Sequence, residues 1–145
     1  MTDYERRIMN LLLAGDVEPL ASLREQVGHA TVVEREFTGV GTFTTFAVNE
    51  ACPRVVPPNF TISDVAYELA GVEHGGGVVL FVRDGHLSML ELYNWTDDWP
   101  AEPKFTSIHY LVPSDPSRGR SDLVPSADRE WNDLRRGIGP HDSSA

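Results

Sequence analysis

Apolar residues recur three or four positions apart between residues 2 and 27, which is the spacing of one face of a helix. The residues that form this pattern are Ile8, Leu11, Leu12, Leu20, Leu23 and Val27. Gly15 interrupts the pattern, and Thr2 followed by Glu5 matches the capping box with which many helices begin. The pattern therefore predicts two short amphipathic helices within residues 2–27, each with its apolar face on a core.

From residue 30 the chain is rich in β-branched and aromatic residues, and turn-forming residues separate its short apolar runs. Asp84-Gly85 is a dipeptide that tight hairpins prefer, because glycine adopts the positive φ that such turns need. The predicted elements are a hairpin at 30–38 and 42–48, a segment at 60–72 that fits strand or helix and is assigned as strand, a hairpin at 77–95, and a strand at 104–112.

The last part of the chain is predicted to be less regular. Residues 113–126 are rich in proline and serine and are assigned as a connector, followed by a helix at 127–136 and a frayed tail at 137–145. The whole chain, residues 1–145, is predicted as one α+β domain. It should contain two short N-terminal helices, an antiparallel sheet of about five or six strands over 30–112, and a short C-terminal helix.

The strand that follows Asp84-Gly85 carries apolar residues on both of its faces. Alternation along this strand puts Leu87, Met89, Glu91, Tyr93 and Trp95 on one side, and His86, Ser88, Leu90, Leu92 and Asn94 on the other. We therefore predict an inner strand that is covered on both faces. Glu91 then points into a largely apolar surface.

An ionised carboxylate without a partner is costly in such surroundings, so Glu91 should have either a partner or a raised pKa. Arg35 is the preferred partner because it lies within a predicted strand, and few other bases fall in the sheet region. Glu91 is then either a general base or ligand-anchoring carboxylate, or a glutamate with a structural role only. The sequence leaves both interpretations open.

Acidic and aromatic residues are concentrated in the segment 91–102, which we call the corner. Beyond Glu91 and Tyr93 it contains Trp95, Asp97, Asp98, Trp99 and Glu102. Aspartates beside a proline often form turns, and the tryptophans would then cover one end of the sheet as a lid. The alternative is an acidic, aromatic pocket that suits a cationic group or a basic protein surface.

The net charge is −10 over 145 residues, and residues 61–112 carry eight acids against Arg83 and Lys104 only. This balance argues against nucleic acid as a partner, because phosphate binding needs clustered cations. A single cysteine, Cys52, excludes an internal disulfide framework and fits a reducing compartment. No stretch approaches the roughly 20 apolar residues that span a bilayer. We therefore expect a cytoplasmic protein that does not bind membranes.

Other chemistries lack their sequence signals. Gly39 and Gly41 allow a tight turn whose N–H groups could hold an anion, but a hairpin turn is favoured because the dinucleotide and P-loop motifs are incomplete. The five histidines show no metal-binding spacing, and no nucleophile elbow is present. We therefore expect neither a metal nor a cofactor.

Two stretches, "REFTGVGTFTTF" at 35–46 and "GGGVVLFVRDGHLSMLELYNWTDDWP" at 75–100, together resemble a group of small uncharacterised bacterial proteins. The resemblance covers about residues 20–112 and implies a shared α+β fold, without any activity. The positions that it implies as shared are Arg35, Thr38, Gly39, Gly41, Gly85, Glu91, Tyr93, Trp99 and Pro100. Leu92 departs from the group, in which glycine usually follows the glutamate.

The leading hypothesis is a non-catalytic binding protein that uses the corner to recognise a basic protein or a small cationic ligand. An immunity-type protein that neutralises a basic toxin is one form of it. The candidate binding residues are Arg35, Thr38, Glu91, Tyr93, Trp95, Asp97, Asp98 and Trp99. The alternative is a small enzyme in which Glu91 is the general base for a small polar substrate. A third possibility is a homodimer that buries the tryptophans between two copies.

Overall fold

A computed structural model describes residues 1–139 of the chain. Within this range the helices are α1 (Asp3–Leu12), α2 (Leu20–Val27), α3 (Trp131–Ile138) and a 3₁₀ helix (Pro116–Ser121). The strands are β1 (Ala30–Phe37), β2 (Gly41–Val48), β3 (Phe60–Ile62), β4 (Val65–Leu69), β5 (Gly76–Arg83), β6 (His86–Asn94), β7 (Phe105–Pro113) and β8 (Leu123–Ser126). No helix of residues 1–139 has both the length and the apolar character needed to cross a membrane.

The strands form one antiparallel sheet in the order β1-β2-β6-β5-β4-β7-β8, and β3 pairs with β5 beside β4. The predicted α+β class is confirmed. The sheet has eight strands within the described range and not the predicted five or six. Residues 60–72 contain strands, as assigned, but Ser63 and Asp64 divide them into β3 and β4. β8 lies in the predicted connector.

The C-terminal part differs most from the expectation. The segment 113–126 contains the 3₁₀ helix and β8, which pairs with β7 along four residues, so it is not an irregular connector. The predicted helix at 127–136 is displaced, because Glu130 caps α3: its carboxylate accepts the backbone N–H groups of Asn132 at 3.3 Å and Asp133 at 2.7 Å. α3 continues to Ile138, and residues 140–145 of the predicted tail lie outside the described residues.

The helices of the described range pack on one face of the sheet. The apolar side chains of α1, α2 and α3 join a single core with alternate residues of the strands. On the strands these residues are Phe46, Phe60, Ile62, Val65, Tyr67, Leu69, Val78, Leu80, Val82, Leu87, Leu90, Leu92 and Tyr110. The prediction that both faces of β6 are covered is therefore wrong, although β6 is an inner strand between β2 and β5.

A bulge near the start of β6 decides which of its residues enter the core. Val82 lies opposite Leu87, whereas Phe81 lies opposite Met89, so Ser88 is an extra residue in β6. Such a bulge shifts the alternation of side chains by one position. Leu87 consequently belongs to the core and Met89 does not, and the predicted placement of both on one face is wrong.

Glu5 is a fully buried carboxylate in the first turn of α1. Its oxygens accept hydrogen bonds from Arg35 Nη2 at 2.8 Å, Thr44 Oγ1 at 2.7 Å and the Thr2 backbone N–H at 2.8 Å. Burial alone raises the pKa of the Glu5 carboxyl, but these donors outweigh burial and lower it. The network attaches α1 to β1 and β2 on the covered face of the sheet.

We expect Glu5→Gln to lower the free energy of unfolding at pH 7 by about 2 kcal/mol, because it leaves the Arg35 guanidinium without its counter-charge. The pKa of Glu5 is lowered in the folded state, so its stabilising effect is present above the ordinary glutamate pKa. The difference between wild type and variant should therefore shrink as the pH falls through the folded-state pKa. Urea unfolding curves at a series of pH values measure this difference.

The matched control is Glu25→Gln on the exposed side of α2, which we expect to change the free energy of unfolding by less than about 0.5 kcal/mol. Equal stabilities of wild type and Glu5→Gln at pH 7 would contradict the structural role given to this carboxylate.

Candidate functional site

The face of the sheet opposite the helices is left uncovered by the described chain. Over β1, β2, β6 and β5 its side chains are Phe43, Thr45, Val79, Phe81, Met89, Glu91 and Tyr93, with Glu34 and Glu36 at the β1 edge and Arg83 at the end of β5, and we call this part the open face. The Arg83 guanidinium lies over the Phe81 ring, 5.1 Å from its centre. The seven central side chains are half-buried by one another. None of their apolar members belongs to the core or to the residues packed against it.

Strand register arranges the open face in rows that run across the sheet. Glu36 on β1 lies opposite Phe43 on β2, which lies opposite Glu91 on β6, which lies opposite Val79 on β5. Residues directly opposite each other project on the same side of a sheet. Carboxylates and apolar groups therefore alternate along this row, with Glu36 and Glu91 two strands, or roughly 10 Å, apart.

Glu91 lies at the centre of the open face, between the side chains of Phe43 and Val79. Desolvation by these neighbours raises the pKa of the Glu91 carboxyl above its ordinary value. Within residues 1–139 it makes no hydrogen bond or ion pair. The prediction that Arg35 is its partner is wrong, because Arg35 projects from the covered face and binds Glu5.

Tyr93 continues the open face toward the end of β6. Its register neighbours on both sides are glycines, Gly41 and Gly77, which leave room for the ring. A Cβ atom on Gly77 would lie 2.6 Å from the Tyr93 hydroxyl oxygen and 3.3 Å from the indole nitrogen of Trp95. Both aromatic side chains therefore lie over Gly77, and Trp95 remains 47% exposed.

The remaining part of the corner turns toward the core. Asn94 accepts a hydrogen bond from the Tyr67 hydroxyl at 2.8 Å and donates one to the Asp98 carbonyl at 3.0 Å. Trp99 packs against Tyr67, at 6.1 Å between ring centroids, and against Phe105, at 6.2 Å. These aromatic rings close the end of the core, so Trp99 forms the lid that the sequence allowed.

The β1–β2 turn and the corner are adjacent, although they are more than fifty residues apart in the chain. The carbonyl of Gly39 accepts the Trp99 N–H and that of Val40 accepts the Asn94 N–H, both at 2.8 Å. The hairpin interpretation of this turn is confirmed, because the Thr38 N–H donates to the Gly41 carbonyl across it.

The candidate binding residues are therefore divided among several places. Glu91, Tyr93 and Trp95 meet on one side of the sheet, and Arg35 and Trp99 contribute to the covered side. The Asp97 carboxylate accepts the Glu73 N–H at 2.8 Å and so restrains a neighbouring turn. Thr38 and Asp98 are exposed.

A cavity of about 440 Å³ lies along the part of β7 that β8 does not cover. The Ser107 hydroxyl lies 2.8 Å from Nδ1 of His109 there, and Glu68 is opposite Ser107 in register. Within residues 1–139 Glu68 makes no hydrogen bond to His109, so the pair lacks the acid that orients the imidazole in a catalytic triad. Glu91 lines neither this cavity nor three further ones of about 180 to 310 Å³ within residues 1–139.

Sequence reasoning missed the aromatic and acidic neighbours of Glu91. On β2, Phe43 projects on the opposite face from its neighbours Thr42 and Thr44. On β1, Glu36 projects on the opposite face from its neighbour Arg35. The sequences "REF" and "TFTTF" show which neighbouring residues project on opposite faces of their strand. They do not show which of the two faces the helices cover. That depends on how β2 pairs with β6.

Two tryptophan substitutions test whether Trp99 belongs to the core as a lid while Trp95 belongs to the open face. We expect Trp99→Ala to lower the free energy of unfolding by about 2 to 3 kcal/mol, because it removes a ring that packs on Tyr67 and Phe105. Trp95→Ala, the matched control, should lower it by less than about 1 kcal/mol, because the Trp95 ring is only partly buried. Thermal unfolding monitored by circular dichroism measures both, and similar losses for both variants would contradict the division.

Glu91→Gln tests the electrostatics of the open face. A carboxyl whose pKa is raised in the folded state stabilises the fold below its unfolded pKa and loses this effect as the pH rises through the folded pKa. We therefore expect the variant to be more stable than wild type at pH 7, by at most about 0.5 kcal/mol because solvent screens the half-exposed group. At pH values below the ordinary pKa of glutamate, this difference in stability between the variant and wild type should disappear. Unfolding curves at both pH values check this, and a variant less stable at pH 7 would show that Glu91 has a stabilising partner.

The chain was compared with protein-family models, with curated proteins and with solved structures, and no match was found in any of the three.

Proposed function

We propose that this protein is a non-catalytic binding module whose open face recognises a basic surface of a partner protein. The observation that carries the proposal is the position of the Glu91 carboxylate, which lies between Phe43 and Val79 on the uncovered side of the sheet. Burial by these apolar neighbours also raises its pKa. A lysine or arginine of a partner would supply the counter-charge and bury the surrounding apolar surface at the same time.

The charge of the chain supports a basic partner. The net charge is −10, and the open face carries three carboxylates, those of Glu34, Glu36 and Glu91, against one cation, that of Arg83 over Phe81. Two copies of the chain packed through this face would place these acids near one another, which opposes self-association. Complementary charge on a partner also accelerates the encounter and disfavours acidic competitors.

The aromatic residues support recognition of cations within an apolar setting. Tyr93 and the exposed Trp95 lie together over Gly77, at the end of β6 beyond Glu91. Tyrosine and tryptophan are enriched at protein interfaces, and their rings attract the guanidinium of arginine and the ammonium of lysine. The proposed contact thus includes a carboxylate, two large rings and the apolar side chains of β2, β5 and β6.

The proposal is tested by capture with three tagged forms of the chain: wild type, Glu91→Lys, and Glu25→Lys as a control of equal charge on the helical side. We expect wild type and Glu25→Lys to retain a basic protein from a lysate of the cells that produce the chain. Glu91→Lys should retain it at least about tenfold less, because a like charge replaces the carboxylate. Quantitative mass spectrometry measures the retained amounts.

Amide hydrogen exchange on the purified complex should then show protection in β2, β5 and β6, with little change in α1 and α2. Equal retention by Glu91→Lys and wild type, or protection confined to the helices, would refute the assignment of the open face as the binding surface.

A further inference from the structure

We propose that the outer edge of β1 accepts an extended, basic segment of the partner as an added antiparallel strand. The basic character of that segment rests on the proposed function, whereas its extended conformation follows from the edge itself. The added strand would enlarge the sheet beside Glu34 and Glu36 and would continue the rows of the open face.

β1 has an available edge. It pairs with β2 on one side, and no strand pairs with its other side within residues 1–139. β1 is eight residues long, and Val33 interrupts its register with β2, so the regular part beside the turn is residues 34–37. The strand at the opposite edge, β8, has four residues and contains Pro125, which lacks an N–H donor. Strand addition needs free backbone donors and acceptors in regular alternation, and residues 34–37 of β1 supply them without a proline.

The direction of the free backbone groups follows from the β1–β2 turn. The Thr38 N–H donates to the Gly41 carbonyl, so the backbone groups of residue 38 point toward β2. These groups alternate along an antiparallel strand. The N–H and C=O groups of Arg35 and Phe37 therefore point outward, where an incoming strand can bind them.

Side chains on β1 define the chemistry of the incoming strand. Glu34 and Glu36 project on the open face, so residues opposite them should be lysine or arginine. Phe37 projects on the other side and is 65% exposed, so the residue opposite it should be apolar. The edge thus fits a segment in which cationic and apolar residues alternate.

The same side chains disfavour a second copy of this chain at the edge. Two copies of β1 related by a twofold axis pair antiparallel with their open faces on the same side. Glu34 of one copy then lies near Glu36 of the other, and like charges that are directly opposite destabilise a sheet. A basic strand from a different protein avoids this repulsion.

The edge is also held in place before any partner binds. The Arg35 side chain on the covered face donates two hydrogen bonds to Glu5, at 2.8 and 3.2 Å, and Glu5 belongs to α1. An edge that is already ordered loses less conformational entropy on binding than a mobile one.

The test uses a ten-residue peptide of alternating lysine and valine, and two analogues with N-methyl groups on the lysines only or on the valines only. In the proposed pairing the valines lie opposite Arg35 and Phe37 and donate their N–H groups to β1, whereas the lysine N–H groups point away. Methylation of the valines should therefore weaken binding at least about tenfold, and methylation of the lysines less than about twofold. Fluorescence anisotropy of the labelled peptides measures the affinities.

Charge variants of the intact chain provide the matched control. Glu36→Lys should weaken binding of the unmethylated peptide at least about fivefold, and Glu25→Lys, of equal net charge, less than about twofold. Equal affinities of the two methylated peptides, or no binding of the unmethylated peptide at about 1 mM, would overturn the proposal.

The outcomes for the edge and for the open face are distinguishable. If Glu91→Lys abolishes capture of the partner while the position of the methyl groups has no effect, the open face binds and the edge proposal fails. If the methylation pattern holds while Glu91→Lys captures the partner normally, the edge accepts basic strands and the open-face proposal fails.

Discussion

The hydrogen bonds from Arg35 and Thr44 to the buried carboxylate of Glu5 hold α1 against β1 and β2. They fix the first helix on one side of the sheet, and the apolar faces of α2 and α3 enter the same core. Every strand residue then belongs to one of two sides, because side chains alternate along a strand. The core and the open face therefore follow from one constraint: the helices cover only one face of the sheet.

Neighbouring residues of β6 illustrate this division. Asn94 faces the covered side and connects Tyr67 to the Asp98 carbonyl, and Trp99 closes the core beside it. Tyr93, one position earlier, faces the open side together with Glu91. The corner is consequently a lid in one part and an exposed surface in the other. The acidic and aromatic groups that we propose as a binding surface lie on the side of the sheet that the helices do not cover.

Elements with a strong local signal were predicted well. The capping box of α1 and the Asp84-Gly85 turn depend on residues that are close in sequence, and both are present, with φ of 56° and 80° at the turn. The strands around that turn were also predicted. The prediction failed at β8, which forms through pairing with β7, and at Ser88, whose extra position in β6 is visible only against β5.

The sequence by itself determined the fold class, most strand positions and the acidic charge, because periodicity, turn chemistry and composition are properties of short segments or of the whole chain. Only the tertiary structure decided that Arg35 binds Glu5, thirty residues away, and that Glu91 faces the uncovered side. Several basic residues could have paired with either carboxylate in the unfolded chain. The choice among them depends on which side of the sheet the helices bury, and this is a property of long-range packing.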